Sequence, residues 1–144
     1  MIRLLVADDH PRVREGLNRL LESYDDIELL EAVADGSAAV SVAQRDAPDV
    51  ILMDLEMPVM DGTEAARRIL TGHLPTRILV LTAFADRKRI VTALDAGACG
   101  YLLKDAEPDE LVRGIRAAGR GESALASRAA GRLIGGIDGT PPGP

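Results

Sequence analysis

Four short runs of apolar residues recur along the chain, each bounded by polar or turn-forming residues. They are Ile2–Ala7, Val50–Met53, Ile78–Leu81 and Tyr101–Leu103. Each run is continuous rather than alternating, which is typical of strands buried on both faces of a parallel sheet. A weaker fifth run, Leu29–Ala34, suits the edge of such a sheet. The pattern therefore predicts five strands.

Segments with helical spacing lie between these runs. The first helix is predicted to begin near Pro11, because proline suits a first turn and the following apolar residues share one face. The other predicted helices are Ala38–Arg45 capped by Ser37, Gly62–Leu70, a segment around Ile90 ended by Gly97, and Pro108 to about Gly119. Strands and helices alternate, so right-handed crossovers give an α/β fold, an open parallel sheet with helices on both faces. Periodicity leaves the strand order open.

The chain divides into one domain and a tail. A length of 144 residues fits a single domain, and we predict that residues 1–120 form it. Residues 121–144 are predicted to be a linker or tail, in which Ala124–Ile134 is the candidate for one more weak helix. The last ten residues are rich in glycine and proline, which is typical of a linker toward another domain or of a shortened chain.

Composition narrows the class of protein. The net charge is −6, and the one compact basic run, 87–89, reads as a solvated face, so this chain is not expected to bind DNA itself. A single cysteine, Cys99, excludes an internal disulfide and fits a reducing compartment. No segment approaches the roughly 18 apolar residues of a membrane span, and the apolar start is too short for a signal peptide. We therefore expect a cytoplasmic protein that does not enter a membrane.

Polar residues follow the predicted strands at the point where each strand ends. They are Asp8 and Asp9 after the first strand, Asp54 after the third, Thr82 after the fourth and Lys104 after the fifth. In open α/β sheets, ligands bind beyond the carboxyl ends of the strands. Taken singly, each of these residues would be interpreted as an ordinary helix cap, turn residue or solvated residue. Their joint placement at one edge predicts a functional site.

The residue types at this edge favour phosphoryl chemistry. Crowded carboxylates repel one another, so either one is protonated or a cation lies among them. Oxygen ligands with no histidine or cysteine nearby favour a hard ion, Mg²⁺. A central carboxylate is then a nucleophile able to form an aspartyl-phosphate, with Mg²⁺, Lys104 and the Thr82 hydroxyl neutralising the phosphoryl oxygens. No residue is left over as a catalytic base, which indicates storage of a phosphoryl group rather than fast turnover.

Several motifs, in order, resemble the response-regulator receiver domain of two-component systems, and in detail its NarL/FixJ type. They are Asp8-Asp9-His10-Pro11, Asp54-Leu55-Glu56-Met57-Pro58 with Asp61-Gly62, Leu81-Thr82-Ala83, and Gly100-Tyr101-Leu102-Leu103-Lys104-Asp105. The resemblance covers about residues 2–120. It implies a flavodoxin-like (βα)5 fold, a doubly wound parallel five-stranded sheet in the order 2-1-3-4-5.

The resemblance also implies roles in phosphoryl transfer. Asp54 matches the phospho-acceptor and Lys104 the phosphate-binding ammonium. Asp9 matches a direct Mg²⁺ ligand, and Asp8 an acid acting largely through metal-bound water. Asp54 also contacts the metal, and Glu56 stands where the family uses a backbone carbonyl as a ligand.

The switch and the partners follow from the same resemblance. Thr82 matches the switch hydroxyl and Tyr101 the ring whose rotamer follows phosphorylation, turning inward as Thr82 moves. The implied partners are a sensor histidine kinase, a second copy of the chain on activation, and DNA through a C-terminal helix-turn-helix domain that this chain lacks. We expect that this output domain was removed, and a stand-alone receiver is the alternative. The implied role is a phospho-acceptor regulatory domain of a transcriptional regulator, which catalyses only its own phosphorylation and dephosphorylation.

The sequence departs from the family pattern at one point and leaves two other functions open. Lys104-Asp105 stands where many members have Lys-Pro with a cis bond, which without proline costs about 2.5–4 kcal/mol. Glu56 and Phe84 each lie two residues after a site residue, and we hypothesise that they tune phosphate lifetime.

A Mg²⁺-dependent phosphatase or dehalogenase-like hydrolase is disfavoured, because its nucleophile normally ends the first strand in an Asp-x-Asp arrangement. A binding-only pseudo-receiver is disfavoured because the whole polar set is present.

Overall fold

The fold is a parallel sheet covered by helices. The computed structural model describes residues 1–72, 75–83 and 87–122, together with the backbone of 124–125. The strands are β1 (Ile2–Ala7), β2 (Ile27–Val33), β3 (Val50–Asp54), β4 (Arg77–Thr82), β5 (Gly100–Leu103) and β6 (Ala124–Leu125). They pair in parallel in the order β2-β1-β3-β4-β5-β6. The predicted flavodoxin-like sheet, 2-1-3-4-5, is confirmed, with a two-residue strand added beside β5.

The central strands are buried as the apolar runs predicted. Every residue of β3 is buried, and so is every residue of β4 except Arg77. The β2 strand lies at the edge of the sheet and is buried at only one position, Ile27. It begins earlier than the predicted Leu29, because Ile27 pairs with Ile2 at the start of β1.

Within the residues that the structure describes, five helices cover the two faces of the sheet. They are α1 (Pro11–Leu21), α2 (Gly36–Asp46), α3 (Gly62–Thr71), α4 (Arg87–Asp95) and α5 (Pro108–Gly119). The α3 helix packs against both α2 and α4. On the other face, Arg116 of α5 pairs with Asp26, in the turn after α1, at 2.8 and 3.1 Å. The Arg116 guanidinium also lies 5.4 Å from the centre of the Tyr24 ring. The helices are thus divided between the faces as a doubly wound sheet requires.

The start of α2 differs from the prediction. The Asp35 side chain, not that of Ser37, caps the helix by accepting a hydrogen bond of 2.8 Å from the Ala38 backbone N–H. Ser37 lies inside the first turn. Gly36 makes the early start possible, because a Cβ there would lie 2.3 Å from the Met60 carbonyl oxygen.

The segment after α5 also differs from the prediction. Ala124 and Leu125 pair with Gly100 and Tyr101 as a strand, so the predicted helix over Ala124–Ile134 is wrong at its start. Residues 126–144 lie outside the described part of the chain. Within the described residues, all peptide bonds are trans, including Lys104–Asp105. No helix in that part of the chain is long and apolar enough to cross a membrane.

Candidate functional site

The strand register places the predicted polar residues at one edge of the sheet. Ala7 pairs with Met53, so Asp8 follows β1 at the level of Asp54. Asp54 pairs with Leu81, and Thr82 is the next residue of β4. Thr82 in turn pairs with Leu103, and the Lys104 backbone N–H donates to the Thr82 carbonyl at 2.7 Å. The carboxyl ends of four strands therefore supply the site.

Three of the predicted side chains are in direct contact. The Lys104 ammonium lies 2.8 Å from Asp8 Oδ2 and 3.3 Å from Asp54 Oδ2. The contact with Asp54 has hydrogen-bond geometry, whereas the contact with Asp8 is an ion pair without a directed hydrogen bond. Asp54 is 5% exposed and Asp8 is fully buried. Lys104 therefore holds two buried carboxylates together.

The environment of Asp54 opposes its negative charge. Burial and, to a lesser degree, the nearby Asp8 carboxylate raise the pKa of Asp54 to about 6. The Lys104 ammonium acts in the opposite direction and lowers this pKa, but it does not offset the first two effects. An Asp carboxylate with a raised pKa in a cleft is a candidate nucleophile.

The carboxylates of the cleft are spaced and charged so that they could bind a cation. One ligand atom each from Asp8, Asp9, His10 and Asp54 lies within 4.8 Å of all the others. Among the described residues, Asp8 Oδ2 and Asp9 Oδ1 are the buried side-chain oxygens that receive no hydrogen bond. Asp8 Oδ2 shares the Lys104 ammonium with Asp54, and Asp9 Oδ1 has no directed donor, so a bound cation would offset part of their desolvation cost. The donor set of carboxylate oxygens fits Mg²⁺.

His10 is a member of the cluster that the sequence reasoning missed. The interpretation that no histidine lies near the acids is wrong, because His10 Nδ1 lies 2.9 Å from Asp8 Oδ1 and 3.2 Å from Asp9 Oδ1. The same nitrogen lies 3.2 Å from Lys104 Nζ. The signal was available in the sequence, since His10 directly follows the two acids.

Glycine and an ion pair shape the loop beyond β3. A Cβ on Gly62 would lie 2.0 Å from the Asp54 carbonyl oxygen, so only glycine allows α3 to start this close to the strand. The Glu56 side chain pairs with Arg89 of α4. Both residues line an open cleft of about 610 Å³ that also includes Asp9 and His10. The Glu56 side chain is thus engaged away from the acids, which leaves its backbone carbonyl as the group predicted to bind metal.

The two predicted switch residues lie at different depths. Thr82 ends β4 and is 9% exposed, whereas the Tyr101 ring is already buried in this structure, 2% exposed. Their roles as switch residues remain predictions. Phe84, hypothesised to tune phosphate lifetime, lies outside the described residues.

Fold and cleft together define an α/β protein with an acidic, cation-accepting site at the carboxyl edge of its sheet. The sequence profile of the response regulator receiver domain matches residues 4–116. The chain therefore belongs to the response regulator receiver family.

Individual relatives agree with this assignment. The chain is 45% identical over 134 residues to the transcriptional regulatory protein LiaR of Bacillus subtilis, which covers 93% of this chain and 64% of LiaR. Among solved structures, the receiver domain of NarL from Mycobacterium tuberculosis has 36% identity and a TM-score of 0.81, with 84% of this chain and 98% of that chain covered. A LuxR-family two-component response regulator from Aurantimonas has 33% identity and a TM-score of 0.89, with 96% and 99% covered. The chain spans 52% to 64% of the length of the first three curated relatives.

Proposed function

We propose that this receiver domain accepts a phosphoryl group on Asp54 from a sensor histidine kinase in a Mg²⁺-dependent reaction. The observation that carries the proposal is the placement of Asp54, a buried carboxylate at the end of β3, 3.3 Å from the Lys104 ammonium. Its raised pKa, about 6, still leaves it largely ionised at neutral pH, as a nucleophile must be.

Each residue of the cleft has a separate role in this reaction. An Asp54 carboxylate oxygen attacks phosphorus while the bond from phosphorus to the donor breaks, and the donor keeps the electron pair. Lys104 and the Thr82 hydroxyl contact the transferred oxygens. Asp8, Asp9, Asp54 and the backbone carbonyl of Glu56 would hold Mg²⁺, which neutralises charge on the phosphoryl oxygens. The domain thus catalyses its own phosphorylation and, with water as acceptor, its own dephosphorylation.

Phosphorylation would change the surfaces through which the domain can pair with another chain or domain. The new group adds a charge of about −1.5 to −2 at the sheet edge, which draws in Thr82 and moves Tyr101 with it. We infer that the modified domain forms a homodimer in the cytoplasm. DNA binding and transcriptional control would belong to a C-terminal helix-turn-helix output domain, as the name of the relative LiaR, a transcriptional regulatory protein, suggests.

The test uses a small phosphodonor in place of the kinase. Incubation with acetyl phosphate and Mg²⁺ is expected to add one phosphoryl group per chain, read by intact-mass spectrometry. Asp54→Asn should remain unmodified. Asp46→Asn is the matched control, because Asp46 is an acid on α2 that pairs with Arg45 away from the cleft. A chain that stays unmodified, or equal labelling of wild type and Asp54→Asn, would contradict the proposal. Repeated release of phosphate from many esters would favour the hydrolase instead.

A further inference from the structure

His10 stands over the carboxylates at the mouth of the cleft. Its side chain is 61% exposed, but its Nδ1 atom faces inward. That atom lies 2.9 Å from Asp8, 3.2 Å from Asp9 and 4.0 Å from Asp54, measured in each case to a carboxylate oxygen. A ring nitrogen surrounded by the oxygens of three acids has the placement of a ligand to a shared cation.

The spacing of the ligand atoms suits one small ion. The four ligand atoms of Asp8, Asp9, His10 and Asp54 lie within 4.8 Å of one another. Ligands about 2.1 Å from an octahedral ion are at most about 4.2 Å apart, so movements of about half an ångström would gather them. Nδ1 belongs to the group as much as the oxygens do.

An independent observation shows that the acids of the group are incompletely paired. The Asp8 side chain is 1% exposed, and its Oδ2 atom receives no hydrogen bond. Its close contact is the ion pair with Lys104. This one ammonium also serves Asp54, and the buried Asp9 Oδ1 atom receives no hydrogen bond, so the acids of the group can still accept a further cation.

We propose that His10 is a further ligand of the divalent ion at this site, so that the site favours borderline ions such as Co²⁺ over Mg²⁺. Mg²⁺ prefers oxygen ligands, whereas imidazole nitrogen suits transition metals. In the ligand form of the ring, Nδ1 carries the lone pair and Nε2 the proton. When no ion is bound, Nδ1 carries the proton and donates to Asp8 Oδ1 at 2.9 Å, so ion binding moves the ring proton to Nε2. This inference rests on the proposed function, because the same acids are involved.

The test measures binding rather than phosphorylation. Co²⁺ and Mg²⁺ are titrated by calorimetry into the untagged wild type, His10→Ala, and His73→Ala as the control that removes the other histidine of the chain. The His10 side chain is exposed and makes no capping hydrogen bond to α1, so His10→Ala should fold, which circular dichroism checks. Co²⁺ affinity should fall about tenfold or more in His10→Ala, while Mg²⁺ affinity should change by no more than about twofold. The visible spectrum of bound Co²⁺ should shift in that variant alone.

The outcomes separate the inference from the proposed function. An unchanged ratio of Co²⁺ to Mg²⁺ affinity in His10→Ala would overturn the role of His10 and leave the Mg²⁺ site standing. A wild type that binds neither ion would overturn both. A loss of Co²⁺ affinity of similar size in His73→Ala would also overturn the assignment, because the effect would not be specific to His10.

Discussion

The surroundings of Asp54 disfavour its ionised form, and this lowers the stability of the folded protein. In the metal-free protein, burial and the Asp8 carboxylate together outweigh the attraction of Lys104. Asparagine has nearly the same shape but no charge. Asp54→Asn is therefore expected to raise the free energy of unfolding at neutral pH.

The size of this effect follows from the pKa shift. The pKa of Asp54 rises from 3.8 in the unfolded reference to about 6 in the fold. Each unit corresponds to about 1.4 kcal/mol, so ionised Asp54 costs up to about 3 kcal/mol of stability. The amide of asparagine meets the Lys104 ammonium less favourably than a carboxyl oxygen does, which places the expected gain at about 1–3 kcal/mol. With urea slopes of about 1–3 kcal/mol per molar, the midpoint should rise by about 1 M.

The stability penalty from ionised Asp54 depends on pH. Asp54 is an acid whose folded-state pKa is raised, so its ionisation disfavours the fold. Below about pH 4 both states carry the proton and the penalty is absent. It grows between about pH 4 and 6 and is complete above about pH 6, given the folded-state pKa of about 6. The advantage of Asp54→Asn should therefore be full at pH 7.5 and vanish near pH 4.

Urea unfolding followed by circular dichroism, without divalent ions, measures this difference. Asp46→Asn is the control, because the Arg45 side chain lowers the pKa of Asp46 and its neutralisation should give no gain. If Asp54→Asn were no more stable than wild type at pH 7.5, or if its advantage were the same at pH 4, the account of the site as electrostatically opposed would be wrong.

Two further pairs of variants test the local structure by urea unfolding. Gly62→Ala should lower the free energy of unfolding by about 1–3 kcal/mol, because the added Cβ would lie 2.0 Å from the Asp54 carbonyl oxygen. Gly16→Ala, on the exposed side of α1 with nothing within 4 Å, should instead gain about 0.5–1 kcal/mol, and a loss there would contradict the reasoning. Asp35→Ala should cost about 1 kcal/mol through loss of the 2.8 Å cap, whereas Ser37→Ala should change stability by less than about 0.5 kcal/mol. Equal effects at the two positions would refute the cap assignment.

The sheet could be predicted from the sequence because its central strands are buried on both faces. A strand such as β3, buried at every position, requires an unbroken apolar run, and such a run is visible without structural knowledge. The edge strand β2 was predicted less well, since its buried positions are few and its start depends on pairing with β1. Strand order came only from the family resemblance, because hydrophobic periodicity carries no information on which strands are neighbours.

The residues of the site and their meeting at one edge of the sheet were predictable, but the contacts of His10 were not. Asp8, Asp54 and Lys104 were expected together because parallel strands end at a common edge, and their contacts bear this out. The position of His10 depends on how the chain turns between β1 and α1, which spacing does not specify. The choice of Asp35 over Ser37 as the cap likewise depends on the approach of Gly36 to Met60.

The same repulsion that disfavours the fold would supply part of the driving force for cation binding. A divalent ion among the acids removes an unfavourable interaction as well as forming new ones, so its binding energy includes the relief of that repulsion. In Asp54→Asn much of this repulsion is already absent, and Mg²⁺ should stabilise that variant less than it stabilises the wild type. Because any ligand that binds only the folded state raises stability by its binding free energy, the two differences are linked. Mg²⁺ should therefore raise the free energy of unfolding less in Asp54→Asn than in wild type, by an amount that approaches the variant's gain in stability without metal. If Mg²⁺ raised the free energy of unfolding equally in both proteins, the carboxylate of Asp54 would not share the cation.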